Sequence, residues 1–317
     1  MTTSEQSPAL LARWAALREQ QSGLRTRNAA AALGVSEGEL VAARCGDGVM
    51  RLTGDVQHLL KGLEPVGEVM ALTRNEFAVH ERHGRYHRLY LRKTGGVAVG
   101  EEIDLRYFFN NWCHGFAVRE AGPRGSRESL QYFDRDGTAV HKIYRTQATD
   151  DAAWRALVAH HAHPDQTPGL APAAPMVGYV AKPLADIDMD GLRADWSALA
   201  DTHAFYPMLK RPRIERIDAM RNIGPGLARS VPTQGWQDAI ARAARTELPI
   251  MVFVGSPGVV QIHGGTVERL LRRDGWFNVL DPRFNLHVRE QAITECWAVF
   301  KPNRNEGLDA DHAGVTS

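Results

Sequence analysis

The chain has 317 residues, enough for two domains that each bury a core, and 38 basic residues against 37 acidic ones leave a formal charge of +1. A balance so near neutrality gives no general attraction to nucleic acid or to an anionic membrane surface. The start, Met1 to Pro8, lacks a basic and then apolar leader, no apolar run reaches membrane-spanning length, and Cys45, Cys113 and Cys296 have no C-x-x-C spacing; this composition predicts a soluble, cytoplasmic protein with buried reduced thiols and no disulfide framework.

In chain order, Leu10, Leu11, Trp14 and Leu17 predict an amphipathic helix over 9–19. Residues 27–43 predict two short helices split at Gly34, the second opened by a capping box of Ser36 and Glu39, and a third helix follows near 55–63. The period then changes from that of a helix to that of a strand. Val69–Leu72 and Phe77–Glu81 read as a hairpin, with further strands at Leu89–Leu91, Phe116–Arg119, Leu130–Phe133 and Val140–Tyr144, and a turn at Asp134–Gly137. Asp150 or Asp151 caps a helix carrying Trp154, Leu157 and Val158, and residues 160–175 are a polar, proline-rich stretch. A helix over about 187–203 opens the second half, followed by a hairpin of Met251–Val254 and Val259–Ile262 and by strands at Trp276–Leu280 and Cys296–Phe300. Lys301 to Ser317 read as loop.

Residues 75–118 overlay 256–299 without a gap at an offset of 181, with identities that include Val79/Val260, Gly84/Gly265, Arg88/Arg269, Leu89/Leu270, Leu105/Leu286, Ala117/Ala298 and Val118/Val299. Trp14 and Leu17 fall over Trp196 and Leu199 at 182. The expected fold is therefore α+β, two pseudo-symmetric repeats that each combine helices with an antiparallel sheet: a first repeat over 8–163, a linker over 164–176 and a second repeat over 177–317 that lacks a closing hairpin and helix.

In the second repeat, Leu192, Trp196, Leu199 and His203 share one helical stripe, so His203 is expected to point where the apolar residues point. An imidazole there needs a hydrogen bond or a metal, and the spacing does not choose between them. The basic run Lys210–Arg216 suits a ligand with carboxylates, but equally a solvated helix face. His80, His83 and His87, like His160, His161 and His163, lack HExxH spacing and an obvious carboxylate partner, which argues against zinc. Residues 27–43 have the outline of a helix-turn-helix, although the second helix is acidic where a DNA-reading helix is basic or rich in amides.

Several segments together resemble one family: Thr73-Arg-Asn-Glu-Phe-Ala-Val-His-Glu81, Ile103-Asp-Leu-Arg-Tyr-Phe-Phe109, Asp201-Thr-His-Ala-Phe205, Arg216 with Ala219 after it, Ile250-Met-Val-Phe-Val-Gly255 and Gly275-Trp-Phe-Asn-Val279. They are similar to the bacterial cytoplasmic haemin-transport or haemin-degrading proteins, over residues 10 to about 307. The resemblance implies a haem (haem b, haemin) site where the halves meet, with His203 as the axial iron ligand, Arg106 as the distal arginine, and Arg216 and Lys301 on the propionates. Position 106 is arginine where its repeat equivalent, 287, is histidine, so the copies differ there. It also implies a function in taking up imported haem, by delivery to an acceptor or by ring opening in which Arg106 would be catalytic, with a haem oxygenase or an inner-membrane importer as partner. Family members continue past Lys301 into a hairpin and helix that contribute a tyrosine and an arginine; Tyr144 and Arg145 stand at the corresponding place of the first copy, and a more open pocket with weaker haem binding is expected. The rival expectations are a haem-responsive regulator that binds DNA through 27–43, and an interaction module without haem.

Overall fold

The structure is a computed structural model that describes residues 3–122, 125–176, 180–302 and 312–316. The expected start of the second repeat at 177, and residues 303–311 and 317 of the expected terminal loop, lie outside the described residues.

Helix α1 (Thr3–Gln20) carries Trp14 into a small apolar cluster with Ala29, Ala30 and Leu40. Helix α2 (Thr26–Leu33) stops at Gly34, whose φ of 70° lies in the left-handed region that glycine enters without strain. The expected capping box opens α3 (Glu37–Ala42): Ser36 Oγ accepts from the Glu39 amide, and the Glu39 carboxylate accepts from the Ser36 amide. Here the helix-turn-helix reading fails. Glu37, Gly38, Leu40, Val41 and Ala42 are all buried, and a Cβ on Gly38 would sit 2.9 Å from the Gly137 backbone. Glu37 accepts from Lys142 Nζ at 2.6 Å and pairs with Arg74. Burial pushes the Glu37 carboxyl up, but Lys142 and Arg74 outweigh it and hold the pKa below its ordinary value. A helix so enclosed cannot lie in a DNA groove.

The chain continues through β1 (Val49–Arg51), α4 (Val56–Lys61), β2 (Gly67–Arg74), β3 (Ala78–Arg85), β4 (Leu89–Arg92), β5 (Gly95–Val99), β6 (Asp104–Phe108), β7 (His114–Gly122), β8 (Gly125–Phe133), β9 (Ala139–Thr149) and α5 (Asp151–His160). The second repeat holds α6 (Met189–Ser197), α7 (Phe205–Lys210), α8 (Arg216–Asn222), β10 (Ala228–Val231), α9 (Gly235–Thr246), β11 (Ile250–Gly255), β12 (Val259–Gly265), β13 (Leu270–Arg273), β14 (Trp276–Leu280), β15 (Phe284–Arg289), β16 (Cys296–Lys301) and β17 (His312–Thr316). Residues 312–316 thus pair with β16 as β8 pairs with β7, and are not the expected loop.

The repeats exchange strands. One sheet runs β1-β7-β8-β9-β2-β3-β15-β14-β13, so the first copy's hairpin continues into strands of the second. Another runs β11-β12-β6-β5-β4, the reciprocal arrangement. The register repeats as well: His80 faces Leu286 in one sheet and Gln261 faces Leu105 in the other, the same two positions of the repeat with the copies interchanged. A third sheet, β10-β16-β17, matches β1-β7-β8.

Compact units follow this exchange. Residues 1–176 with 248–288 form one unit, and 177–247 with 289–317 form the other. Sequence repeat and compact unit are therefore different divisions of this chain. In the first unit, Tyr86, Tyr107, Trp112, Tyr132 and Ile143 build much of the core. His141 lies inside it, with Nε2 2.6 Å from Tyr86 Oη and Nδ1 2.8 Å from Thr73 Oγ1. In the second unit, Leu192, Trp196, Leu199, Phe205, Met208, Ile214 and Val299 form the core. Cys45 and Cys296 are buried free thiols, whereas Cys113, expected to be buried, is exposed. Among the described residues no helix is long and apolar enough to cross a membrane.

Candidate ligand site around His203

The expected helix over 187–203 ends early. Asp188 caps α6 by accepting from the Gly191 amide, and the helix stops at Ser197. Leu192, Trp196 and Leu199 are buried as expected, but His203 lies on a short 3-10 turn, Thr202–Ala204, with its side chain 79% exposed. The stripe does not extend to His203, because the chain leaves the helix before the spacing is completed.

Asp201 sets the orientation of the imidazole. Its Oδ1 accepts from the His203 amide at 2.8 Å and lies 2.7 Å from Nδ1. Those bonds, the amide first and the ring second, hold the Asp201 carboxyl below its ordinary range, so it stays ionised and accepts a hydrogen bond from Nδ1–H. Nε2 lies on the opposite edge of the exposed ring. A carboxylate that fixes the tautomer of a histidine in this way is the usual support of a metal-binding imidazole. Asp201 was missed as a functional residue in the sequence, although an aspartate two positions before a turn residue is a recognisable side-chain-to-backbone signal.

Two residues on, Phe205 turns inward and meets Trp196 edge-to-face, with ring centroids 4.6 Å apart. Trp196 Nε1 donates to the Phe300 carbonyl at 2.8 Å, which ties α6 to β16. The next residue of that strand, Lys301, places Nζ 4.2 Å from the Phe205 ring centroid. Burial, and then the nearby charge of Arg216, lower the Lys301 pKa to about 8. Burial also lowers that of Arg216, the first residue of α8. The second unit therefore holds two partly desolvated cations close enough to influence each other, with Lys301 over the Phe205 ring. The rest of the basic run is dispersed: Arg211 lies 3.5 Å from Asp195, and Arg213 donates to the Val180 carbonyl.

Arg106 belongs to the first unit. On β6 it pairs with Asp104 and donates to the Leu105 carbonyl at 3.2 Å. Its repeat equivalent, His287, instead has Nδ1 2.6 Å from Asn278 Oδ1, and burial lowers its pKa. The two copies hold different chemistry at this position, as the sequence indicates.

The family described as the haemin-degrading HemS.ChuX domain matches residues 34–161 and 213–310. The hemin transport protein HmuS of Yersinia pestis is 37% identical over 289 residues, 91% of this chain and 83% of that one. The hemin transport protein HemS of Yersinia enterocolitica is 38% identical over 284 residues, 89% and 81% of the two chains. Among solved structures, holo-PhuS, a heme-binding protein from Pseudomonas aeruginosa, superposes with a TM-score of 0.90 at 42% identity, covering 94% of this chain and 87% of that one. The heme degrading enzyme ChuS of Escherichia coli O157:H7 gives 0.87 at 35% identity, with 94% and 87% covered. With most of its length matched by the family and by relatives of this identity, the chain belongs to the haemin-degrading HemS.ChuX family.

Proposed function

We propose that this protein binds haem as its cargo in the cytoplasm, with His203 Nε2 as the iron ligand and Lys301 and Arg216 holding the propionates. The observation that carries the reading is the His203 ring itself: exposed, tied by Nδ1 to an ionised Asp201, with Nε2 turned outward on the unit that also holds the Lys301–Arg216 pair. An imidazole and two cations match the chemistry of ferric porphyrin with its two carboxylates. The relatives are named for transport, binding and degradation of haem, which supports haem and leaves its handling to be assigned. Arg106 is assigned the distal role on the match of Ile103–Phe109 to the family pattern, and it is the residue on which any oxidative turnover would depend. A single protein ligand to iron, as assigned to His203, would suit transfer from an importer to an oxygenase.

Titration with haemin, followed at the Soret band, tests the reading: saturation at one haem per chain is expected, and unsaturable scattering without a Soret shift would reject it. Ascorbate and oxygen added to the loaded protein then separate degradation, seen as loss of the Soret band, from delivery. The Lys301 pKa adds a second expected result. Below about pH 8 the ammonium is already formed and meets the propionate at no protonation cost. Above it, binding must take up a proton, so affinity falls with rising pH, by at most about tenfold per unit. Lys301→Met is expected to remove that part of the pH dependence, measured as the difference between the two proteins' affinities from pH 7 to pH 9.5.

A further inference from the structure

Three histidines of the first unit converge from distant parts of the sequence. His58 lies on α4, His160 is the last residue of α5 and His161 its C-cap. Their ring centroids form a nearly equilateral triangle, 5.2 Å from His58 to His160, 5.1 Å from His58 to His161 and 4.9 Å from His160 to His161. One ring nitrogen from each lies within 4.8 Å of the other two. We propose that His58, His160 and His161 form a binding site for a divalent transition cation of the zinc class, a set of residues that takes no part in the haem reading.

The hydrogen bonding assigns the donor atom of the innermost ring. His161 is buried, and its Nδ1 lies 2.9 Å from the Leu157 carbonyl, which can only accept; Nδ1 therefore carries the proton and Nε2 the lone pair. This is the outer bond that orients metal-binding imidazoles. His161 Nε2 lies 2.9 Å from His58 Nδ1. Two nitrogens on one tetrahedral zinc, each about 2.0–2.1 Å from it, are about 3.3 Å apart, so only a small opening of the pair admits the ion. The backbone is well fixed: the Thr53 amide donates to the His161 carbonyl at 2.8 Å, and α4 packs on α5 so closely that a Cβ on Gly62 would meet Leu157 at 2.5 Å. His58 and His160 are exposed, which gives the ion a path from solvent. Three imidazoles leave a fourth position for water, the donor set of an open zinc site. Imidazole ligands without a carboxylate favour zinc, nickel or copper over magnesium, calcium or manganese.

In sequence, His160 and His161 stand beside His163 in a set without zinc-ligand spacing. In the structure His163 turns to the Asp165 backbone, and His58, about a hundred residues upstream, supplies the third ring.

Calorimetric titration of the full chain, without a polyhistidine tag, with Zn2+ and separately with Ni2+ tests the proposal. One saturable site per chain is expected. In His58→Gln/His160→Gln, whose altered rings are exposed, that site is lost or weakened by at least about tenfold. Haemin titration of the same variant should match the parent, which separates failure at this site from failure of the haem reading. Co2+ added to the parent should give tetrahedral ligand-field bands, absent in the variant. Absence of a saturable site in the parent, or equal stoichiometry and affinity in parent and variant, would overturn the proposal.

Discussion

Replacing His203 by alanine is expected to weaken haemin binding about a hundredfold, equivalent to about 2.7 kcal/mol, and to replace the Soret band of the imidazole complex by that of loosely held haemin. The protein itself should be undisturbed, because the side chain is exposed and contributes nothing to the apolar cluster of Trp196, Leu199 and Phe205. Circular dichroism and urea unfolding unchanged from the parent would establish this. Asp201→Asn gives the graded counterpart: an amide at this position still accepts from Nδ1–H but no longer stabilises charge on the ring, so haem stays bound with an affinity reduced by about ten- to a hundredfold. An unchanged Soret titration in His203→Ala would remove the imidazole from the site altogether.

The second large effect concerns stability in acid. His80 and His141 are buried, with pKa values lowered to about 3, chiefly by burial, and in His80 further by the neighbouring charge of His263. His263, stacked on Phe284, is lowered to about 4 by burial and then by the charge of Arg82. In the unfolded chain each imidazole takes up a proton below about pH 6.5. The unfolded state then binds more protons than the folded one, so the stability contributed by these groups is complete above that pH and is lost as pH falls towards 4 and below. Each fully neutral buried histidine contributes about 1.4 kcal/mol per pH unit to the loss, so His80 and His141 together account for about 2.7 kcal/mol per unit. Between pH 6.5 and pH 4.5 this amounts to about 5 kcal/mol, the low end of a typical total of about 5–15 kcal/mol, so the first unit should be strongly destabilised near pH 4.5. Urea unfolding at pH 7, 6 and 5 measures the slope. His141→Gln should reduce it by one proton, and a flat profile from pH 7 to pH 5 would mean that these imidazoles are hydrated and titrate normally.

Most of the local structure was legible because it is written in local chemistry. The strands at 69–72, 116–119, 259–262 and 276–280 follow from alternation, and the α3 start follows from Ser36 and Glu39. The duplication was also legible, since 181 separates equivalent residues in both the alignment and the ladders. Strand exchange was not, because β3 meets β15 and β12 meets β6 through bonds between residues far apart in sequence, and no local period encodes a partner. His203 was singled out by a stripe that the folded chain does not complete. A period of 3.6 was carried past Ser197, where the turn capped by Asp201 takes over. The expectation that His203 is the iron ligand rests instead on the motif Asp201-Thr-His-Ala-Phe205, in which the folded chain ties the ring through Nδ1 to Asp201. The three-histidine cluster was illegible for the same reason as the strand exchange. Its third member lies on a helix that only the fold brings near.

The central claim is that the iron of bound haem meets His203 Nε2 while Lys301 and Arg216 take the propionates. A crystal structure of the haemin-loaded protein tests this most directly. The account predicts continuous density from iron to Nε2, with Nδ1 still on Asp201 and a propionate oxygen within hydrogen-bond distance of Lys301 Nζ. Iron bound by another side chain, with His203 left facing solvent, would contradict it.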